Sequence, residues 1–247
     1  MKATFDNSKL LKKIFNFSKD VNKEINILFT EEMLDITCMG ESFCTFVQIH
    51  IPSSSFSDYE VSETTEIGLN MDILCKCLSA AKDNDPIKFS MSSEDHLNVS
   101  IADKYDYQLP TIDILEDRLE VPDTEYEINY EIECSNFSDT IKNLGQFCDD
   151  SLLSIEEKKI EWKSSFSDQS GKMNISWTEK DILNYKCEDV FSGTFSIKYL
   201  SEFIKINTIS NNMKLKSSAG IPLHLSVGHE DIIINYFIAP KIEDEDG

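Results

Sequence analysis

The sequence predicts an α+β protein assembled from two similar domains. Three observations carry that prediction. Apolar residues recur along half the chain at a constant offset of 126 positions. Four segments space their apolar residues at the helical period, and strand-like runs separated by polar turns fill the sequence between them. The helical segments also collect lysine, although the chain as a whole has a net charge of −22.

In the first helical segment, residues 8–20, Leu10, Ile14, Phe17 and Val21 step by four, three and four and form one apolar stripe. Lys9, Lys12, Lys13, Asn16 and Lys19 take the other face. A strand over Ile25–Phe29, an acidic turn at Glu31-Glu32 and a strand over Met33–Thr37 follow. The second helical segment, residues 71–82, turns Met71, Leu74, Cys75 and Leu78 inward and Lys76, Ser79 and Lys82 outward. The third, residues 135–148, buries Phe137, Ile141 and Leu144 and exposes Lys142. A strand over Leu152–Ile155, the turn Glu156-Glu157 and a strand over Lys159–Trp162 follow it, repeating the first half. In the fourth, residues 196–208, Ile197, Leu200 and Ile204 face inward, leaving Lys198, Ser201, Glu202 and Lys205 outside.

The repeat is read by aligning Leu69–Leu74 with Phe195–Leu200, Ile87–Phe89 with Met213–Leu215 and Leu97–Ile101 with Leu223–Val227, all at the same offset. Leu10, Ile14 and Phe17 face Phe137, Ile141 and Leu144 one residue further on. Domains are therefore expected over residues 1–112 and 128–247, joined by a connector over 113–127. The connector holds seven acids, one arginine and Pro122, so it reads as an extended surface segment, and its composition alone fits an ordinary linker equally well. The chain ends in the apolar strand Tyr236-Phe237-Ile238, then Ala239-Pro240-Lys241-Ile242, then Glu243-Asp244-Glu245-Asp246-Gly247. Proline lacks the N–H of a sheet ladder, so the strand ends there and Ala239–Ile242 lies extended at a surface. Acid by itself reads as a solubilising tail.

Composition excludes several function classes. No apolar run reaches the length of a membrane span, and the N-terminus lacks the apolar stretch of a signal peptide, which implies a cytosolic or nuclear compartment. Seven cysteines there read as buried free thiols, and Cys75-Lys76-Cys77 has no zinc spacing. The four histidines form no ligand motif, so neither a metal nor a cofactor is expected. With no glycine-rich phosphate loop and no nucleophile elbow, no catalytic residue is assigned and an enzyme is not expected. An acidic decoy of DNA would explain the charge, but neither the duplication nor the segregated lysines. Of 23 basic residues only Arg118 is arginine, so contact with nucleic acid would be point-charge contact with phosphates and blind to base sequence.

The tail from Tyr236 to Gly247 resembles the C-terminus of the proliferating cell nuclear antigen family, the eukaryotic and viral DNA sliding clamps. Leu10-Leu11-Lys12-Lys13-Ile14, Cys38-Met39-Gly40-Glu41-Ser42, Val47-Gln48-Ile49, Tyr199-Leu200-Ser201-Glu202-Phe203 and Leu119-Glu120-Val121-Pro122 extend the likeness over essentially the whole chain. The resemblance implies two clamp domains per chain, with sheets outside and four helices inside, closing as a homotrimer into a six-domain ring around duplex DNA. A specialised, checkpoint-type clamp in a heteromeric ring is the alternative. The intact connector and tail favour the replicative type.

Carried over by matching positions, the resemblance implies DNA-facing Lys12, Lys13, Lys19, Lys76, Lys82, Lys142, Lys198 and Lys205. Ser79 and Gln146 stand where relatives carry basic residues, which thins the cationic lining. The implied partner-peptide groove comprises Met39, Phe43, Cys44, Phe46, Leu119, Val121, Pro122, Tyr126, Pro222, Phe237, Ala239, Pro240, Lys241 and Ile242. Phe43 replaces a histidine frequent in the family, and Glu157, rather than Lys158, falls at the family's modified lysine. The implied partners are DNA polymerase, the clamp loader, ligase and flap nuclease, bound through short peptide motifs, in the nucleus or at a viral replication site. Subunit contacts are expected at the edge strands Lys104–Leu109 and Lys172–Trp177, through Tyr105, Tyr107, Ile175 and Trp177.

Overall fold

The computed structural model describes residues 1–93, 95–115 and 124–242. The chain divides into two compact units, Met1–Val121 with Gly228–Ile234, and Pro122–Val227 with Asn235–Gly247.

The first half runs β1 (Lys2–Phe5), α1 (Ser8–Val21), β2 (Glu24–Phe29), β3 (Met33–Met39), β4 (Thr45–Pro52), β5 (Asp58–Glu60), β6 (Thr65–Asn70), α2 (Met71–Leu78), β7 (Ile87–Ser93), β8 (His96–Ile101) and β9 (Tyr105–Pro110). The second half repeats that order: β10 (Ile128–Glu133), α3 (Cys134–Leu144), β11 (Asp150–Glu156), β12 (Lys159–Ser165), β13 (Lys172–Thr178), β14 (Ile182–Cys187), β15 (Phe191–Ser196), α4 (Ile197–Phe203), β16 (Asn212–Ser217), β17 (Leu223–His229) and β18 (Ile232–Ile238). The sheets repeat as well. The order β5-β1-β7-β8-β9 recurs as β14-β10-β16-β17-β18, and β4-β3-β2-β6 recurs as β13-β12-β11-β15. The 126-residue sequence register is therefore one supersecondary unit written twice.

Each helix forms because its apolar stripe has a sheet to cover. Leu10, Leu11, Ile14, Phe15, Phe17 and Val21 of α1 are buried, and Phe15 meets Phe89 of β7 edge-on at 6.1 Å. Asn7 caps α1 by accepting the Leu10 N–H at 3.1 Å, and Asn70 caps α2 through Ile73 in the same way. In the second unit Phe137, Trp162, Trp177 and Phe203 form an aromatic core, with ring centroids 5.9–6.4 Å apart among the paired contacts. Buried Asn207 ties the turn after α4 to α3, donating to Ser138 Oγ at 2.9 Å and to the Cys134 carbonyl at 3.2 Å.

Three helices stop earlier than their periodicity predicts. α2 ends at Leu78, and Ala80 and Ala81 continue it only as tight turns. The Lys82 N–H then bonds the Asp85 carboxylate at 2.8 Å, which competes with helical pairing. α3 ends at Leu144 before Gly145. α4 ends at Phe203, so the residue buried there is Phe203 rather than Ile204, which is only half-buried.

Candidate functional site

The lysines of the helical segments differ in their freedom. Lys76, Lys142 and Lys198 are exposed on α2, α3 and α4, and Lys198 leans over its neighbour Tyr199 at 5.3 Å. Lys12, Lys13 and Lys19 on α1 are half-buried. Lys12 Nζ donates to the Ala81 carbonyl at 2.6 Å and lies 3.9 Å from Asp83, so it fastens α1 to the turn after α2. Lys82 and Lys205 are exposed but lie beyond the ends of their helices. Within the observed helices, α1 carries four lysines and one aspartate, whereas each of the other three pairs one lysine with one acid. Cationic character is thus concentrated on α1.

In the first unit, the predicted groove residues Met39 and Phe46 are cross-strand partners on β3 and β4, both half-buried on the face turned away from Leu34, Ile36 and Val47. The turn between these strands needs Gly40, because a Cβ there would stand 2.2 Å from Thr45 Oγ1. It closes with the Phe43 N–H on the Gly40 carbonyl at 2.8 Å. That geometry puts Phe43 at φ 58° and 82% exposed, a conformation uncommon for a bulky residue. Cys44 is half-buried beside it. Leu119, Val121 and Pro122 lie outside the described residues.

In the second unit, a stack of side chains lies on the sheet face formed by β16, β17 and β18. His224 is stacked on Phe237 at 4.4 Å and is tilted against Tyr126 at 5.5 Å. Lys216, opposite His224 in the β16–β17 register, sits 5.8 Å from the Tyr126 ring centre. The ring orientation is fixed by Asn235 Oδ1, 2.9 Å from His224 Nε2. Pro222, Ala239, Pro240 and Ile242 are exposed, with Ile242 at 92%. Lys241 is anchored, its N–H on the Thr194 carbonyl at 2.7 Å and its ammonium paired with Asp150. Tyr236 is fully buried and ties β18 to α4, its hydroxyl bonding Glu202 at 2.9 Å and the Tyr199 carbonyl at 3.2 Å. His224 was not among the residues singled out in the sequence, because alternation along β17 cannot distinguish an imidazole in an aromatic stack from one in solvent.

Burial lowers the His224 pKa to about 4, with Lys216 adding to the shift and the Asn235 bond opposing it. Its folded value is depressed, so the unfolded chain takes up the proton first as pH falls. Stability is whole above about 6.5 and drains away toward pH 4, by up to about 3 kcal/mol. Thermal denaturation from pH 7 to 4.5 should show that loss, and His224→Gln should flatten it. An unchanged slope in the variant would exclude His224 as its source.

The predicted edge strands are both at the ends of their sheets. On β9 the inward face grades outward from buried Leu109 through half-buried Tyr107 to Tyr105, which is 38% exposed. On β13 it grades from buried Trp177 through half-buried Ile175 to half-buried Met173. Trp177, expected at a subunit contact, is buried within the chain. Its ring packs on Phe137 and Trp162, and its indole N–H reaches Thr140 Oγ1 at 3.1 Å. Strand alternation faces Trp177 inward with Ile175, and α3 reaches Trp177 through Phe137 and Thr140. Exposed Phe147, stacked on Phe166 at 5.0 Å beyond α3, was missed because it lies off the helical stripe.

Duplicated α+β domains with lysine-bearing helices, and with apolar ledges beside open sheet edges, define a protein built to assemble and to bind other molecules. The N-terminal domain model of proliferating cell nuclear antigen matches residues 1–117 and the C-terminal domain model matches residues 120–242. The chain is 23% identical to DNA polymerase sliding clamp 1 of Thermococcus kodakarensis, over 98% of each chain. It is 24% identical to proliferating cell nuclear antigen of Caenorhabditis elegans and 25% identical to proliferating cell nuclear antigen 1 of Plasmodium falciparum, each over 99% of this chain and 98% of the relative. The chain belongs to the proliferating cell nuclear antigen family of DNA sliding clamps, non-enzymatic processivity factors. Among the described residues no helix is long and apolar enough to cross a membrane, and no group of three or more His, Cys, Asp or Glu side chains could hold a metal.

Proposed function

We propose that three copies of this chain close head-to-tail into a ring around duplex DNA and tether replication and repair enzymes to it in the nucleus. The observation that supports this most is the pair of open edges. β9 lies on one unit and β13 on the other, and each has a ledge of partly exposed apolar side chains beside an edge with no partner strand among the described residues. Unpaired strand edges invite a partner strand, and a heterologous contact that closes on itself generates a ring. Tyr105 and Tyr107 of one subunit then face Met173, Ile175 and Phe147 of the next.

DNA contact falls to Lys13, Lys19, Lys76, Lys142 and Lys198, with Lys82 and Lys205 at helix ends and Lys12 largely committed to the Ala81 carbonyl. Such contact is weak and strongly salt-dependent, which suits sliding, because retention comes from topology. Partner peptides bind through the second unit's Tyr126, Pro222, Phe237, Ala239, Pro240, Lys241 and Ile242. Leu119, Val121 and Pro122 of the connector, and Met39, Phe43, Cys44 and Phe46 of the first unit, are proposed for partner contact as well. The occupant is a short helical turn with aliphatic and aromatic anchors, borne by polymerase, clamp loader, ligase or flap nuclease. The proposed domains are residues 1–112 and 128–247, with the connector 113–127 between them.

Native mass tests the assembly. Three chains of 28.2 kDa are expected in one particle. A single-chain mass that persists at micromolar concentration would contradict the ring.

A further inference from the structure

His224 is 8% exposed and enclosed between Phe237 and Tyr126. Asn235 Oδ1 accepts a hydrogen bond at His224 Nε2, so the neutral ring carries its only proton there and Nδ1 is a bare acceptor. Nδ1 is buried and has no hydrogen-bond partner among the described residues. A buried acceptor left without a donor is costly, and the cost is recovered when a donor arrives. The rings that enclose it are two aromatic residues already assigned to the partner groove.

We propose that His224 sets the specificity of that groove: it selects a partner whose aromatic anchor carries a hydrogen-bond donor at its tip, a tyrosine phenol, over phenylalanine. This rests on the groove reading given above. Phe237 is stacked closely and near-parallel on the imidazole, whereas Tyr126 is tilted by 44° and more distant. Tyr126 is therefore the side chain that yields when the anchor enters. The incoming O–H donates to Nδ1 while Nε2 keeps Asn235, so no proton changes owner. The alternative, an imidazolium meeting a partner acid, is disfavoured because burial and the Lys216 ammonium beside the ring both oppose protonation of His224.

The test is a fluorescence-anisotropy titration of the full chain with three basic peptides. They are identical but for their aromatic anchor, which is tyrosine, phenylalanine or O-methyltyrosine. Tyrosine should bind about tenfold more tightly than either of the others, and His224→Leu should bring the three within about twofold. O-Methyltyrosine has the bulk of tyrosine but no donor, so equal binding of these two to the unaltered protein overturns the proposal and leaves the groove intact. A tyrosine preference that survives in a folded His224→Leu chain also overturns it. If none of the peptides binds, the groove reading falls and the proposal falls with it.

Discussion

Replacing Ile175 with aspartate is expected to leave each domain folded and to break the proposed trimer into single chains. Ile175 is half-buried on the inward face of β13, the last strand of its sheet. In the proposed ring this face meets the Tyr105 and Tyr107 ledge of the next subunit, and the new carboxylate would be buried there against aromatic rings. An unpaired buried charge costs several kcal/mol, and each 1.4 kcal/mol is a factor of ten. Association should weaken by at least about a hundredfold, and sedimentation at micromolar concentration should report one-chain particles. Asn174→Asp, one residue away on the exposed face of the same strand, should leave the assembly nearly unchanged. Equal masses for the two variants would place the contact elsewhere.

Phe137→Ala should have the largest effect on folding. Phe137 is fully buried and its ring lies 6.1 Å from Trp162, 6.4 Å from Trp177 and 6.0 Å from Phe203. One side chain thus joins α3 to β12, β13 and α4. Its removal leaves a cavity walled by large rigid rings that cannot collapse into it, which costs about 3–5 kcal/mol. Calorimetry should show the second unit's transition lowered by roughly 10–20 °C. Phe147→Ala, exposed beyond the same helix, should shift it by no more than a few degrees. A Phe137→Ala chain that melts like the unaltered protein would mean that α3 does not organise this core.

The two-copy architecture was legible because burying one helix stripe and one sheet face dictates apolar residues at fixed intervals, and both copies obey the same dictation. Leu10, Ile14 and Phe17, and their counterparts Phe137, Ile141 and Leu144, are all buried as their spacing requires. The helix ends were less legible. Lys82 and Lys205 continue an amphipathic pattern, but the Asp85 carboxylate captures the Lys82 N–H and α4 gives way to a short 3-10 turn at Asn207–Ile209. Trp177 shows a second limit. Alternation tells which face a residue takes, but not where along the strand a covering helix stops. Phe43 and His224 show a third, since a left-handed turn residue and an imidazole under an aromatic stack leave no periodic trace. These departures cluster where the chain is proposed to meet partners, as expected where binding rather than packing selects the residue.

This chain is proposed to hold DNA by enclosing it. The most direct measurement compares retention of clamp-loader-loaded protein on nicked circular DNA before and after linearisation, at salt high enough to suppress phosphate contact. A closed ring stays on the circle and runs off the ends once the circle is cut. Equal retention on circular and linear DNA would contradict enclosure and leave only surface attraction through lysines.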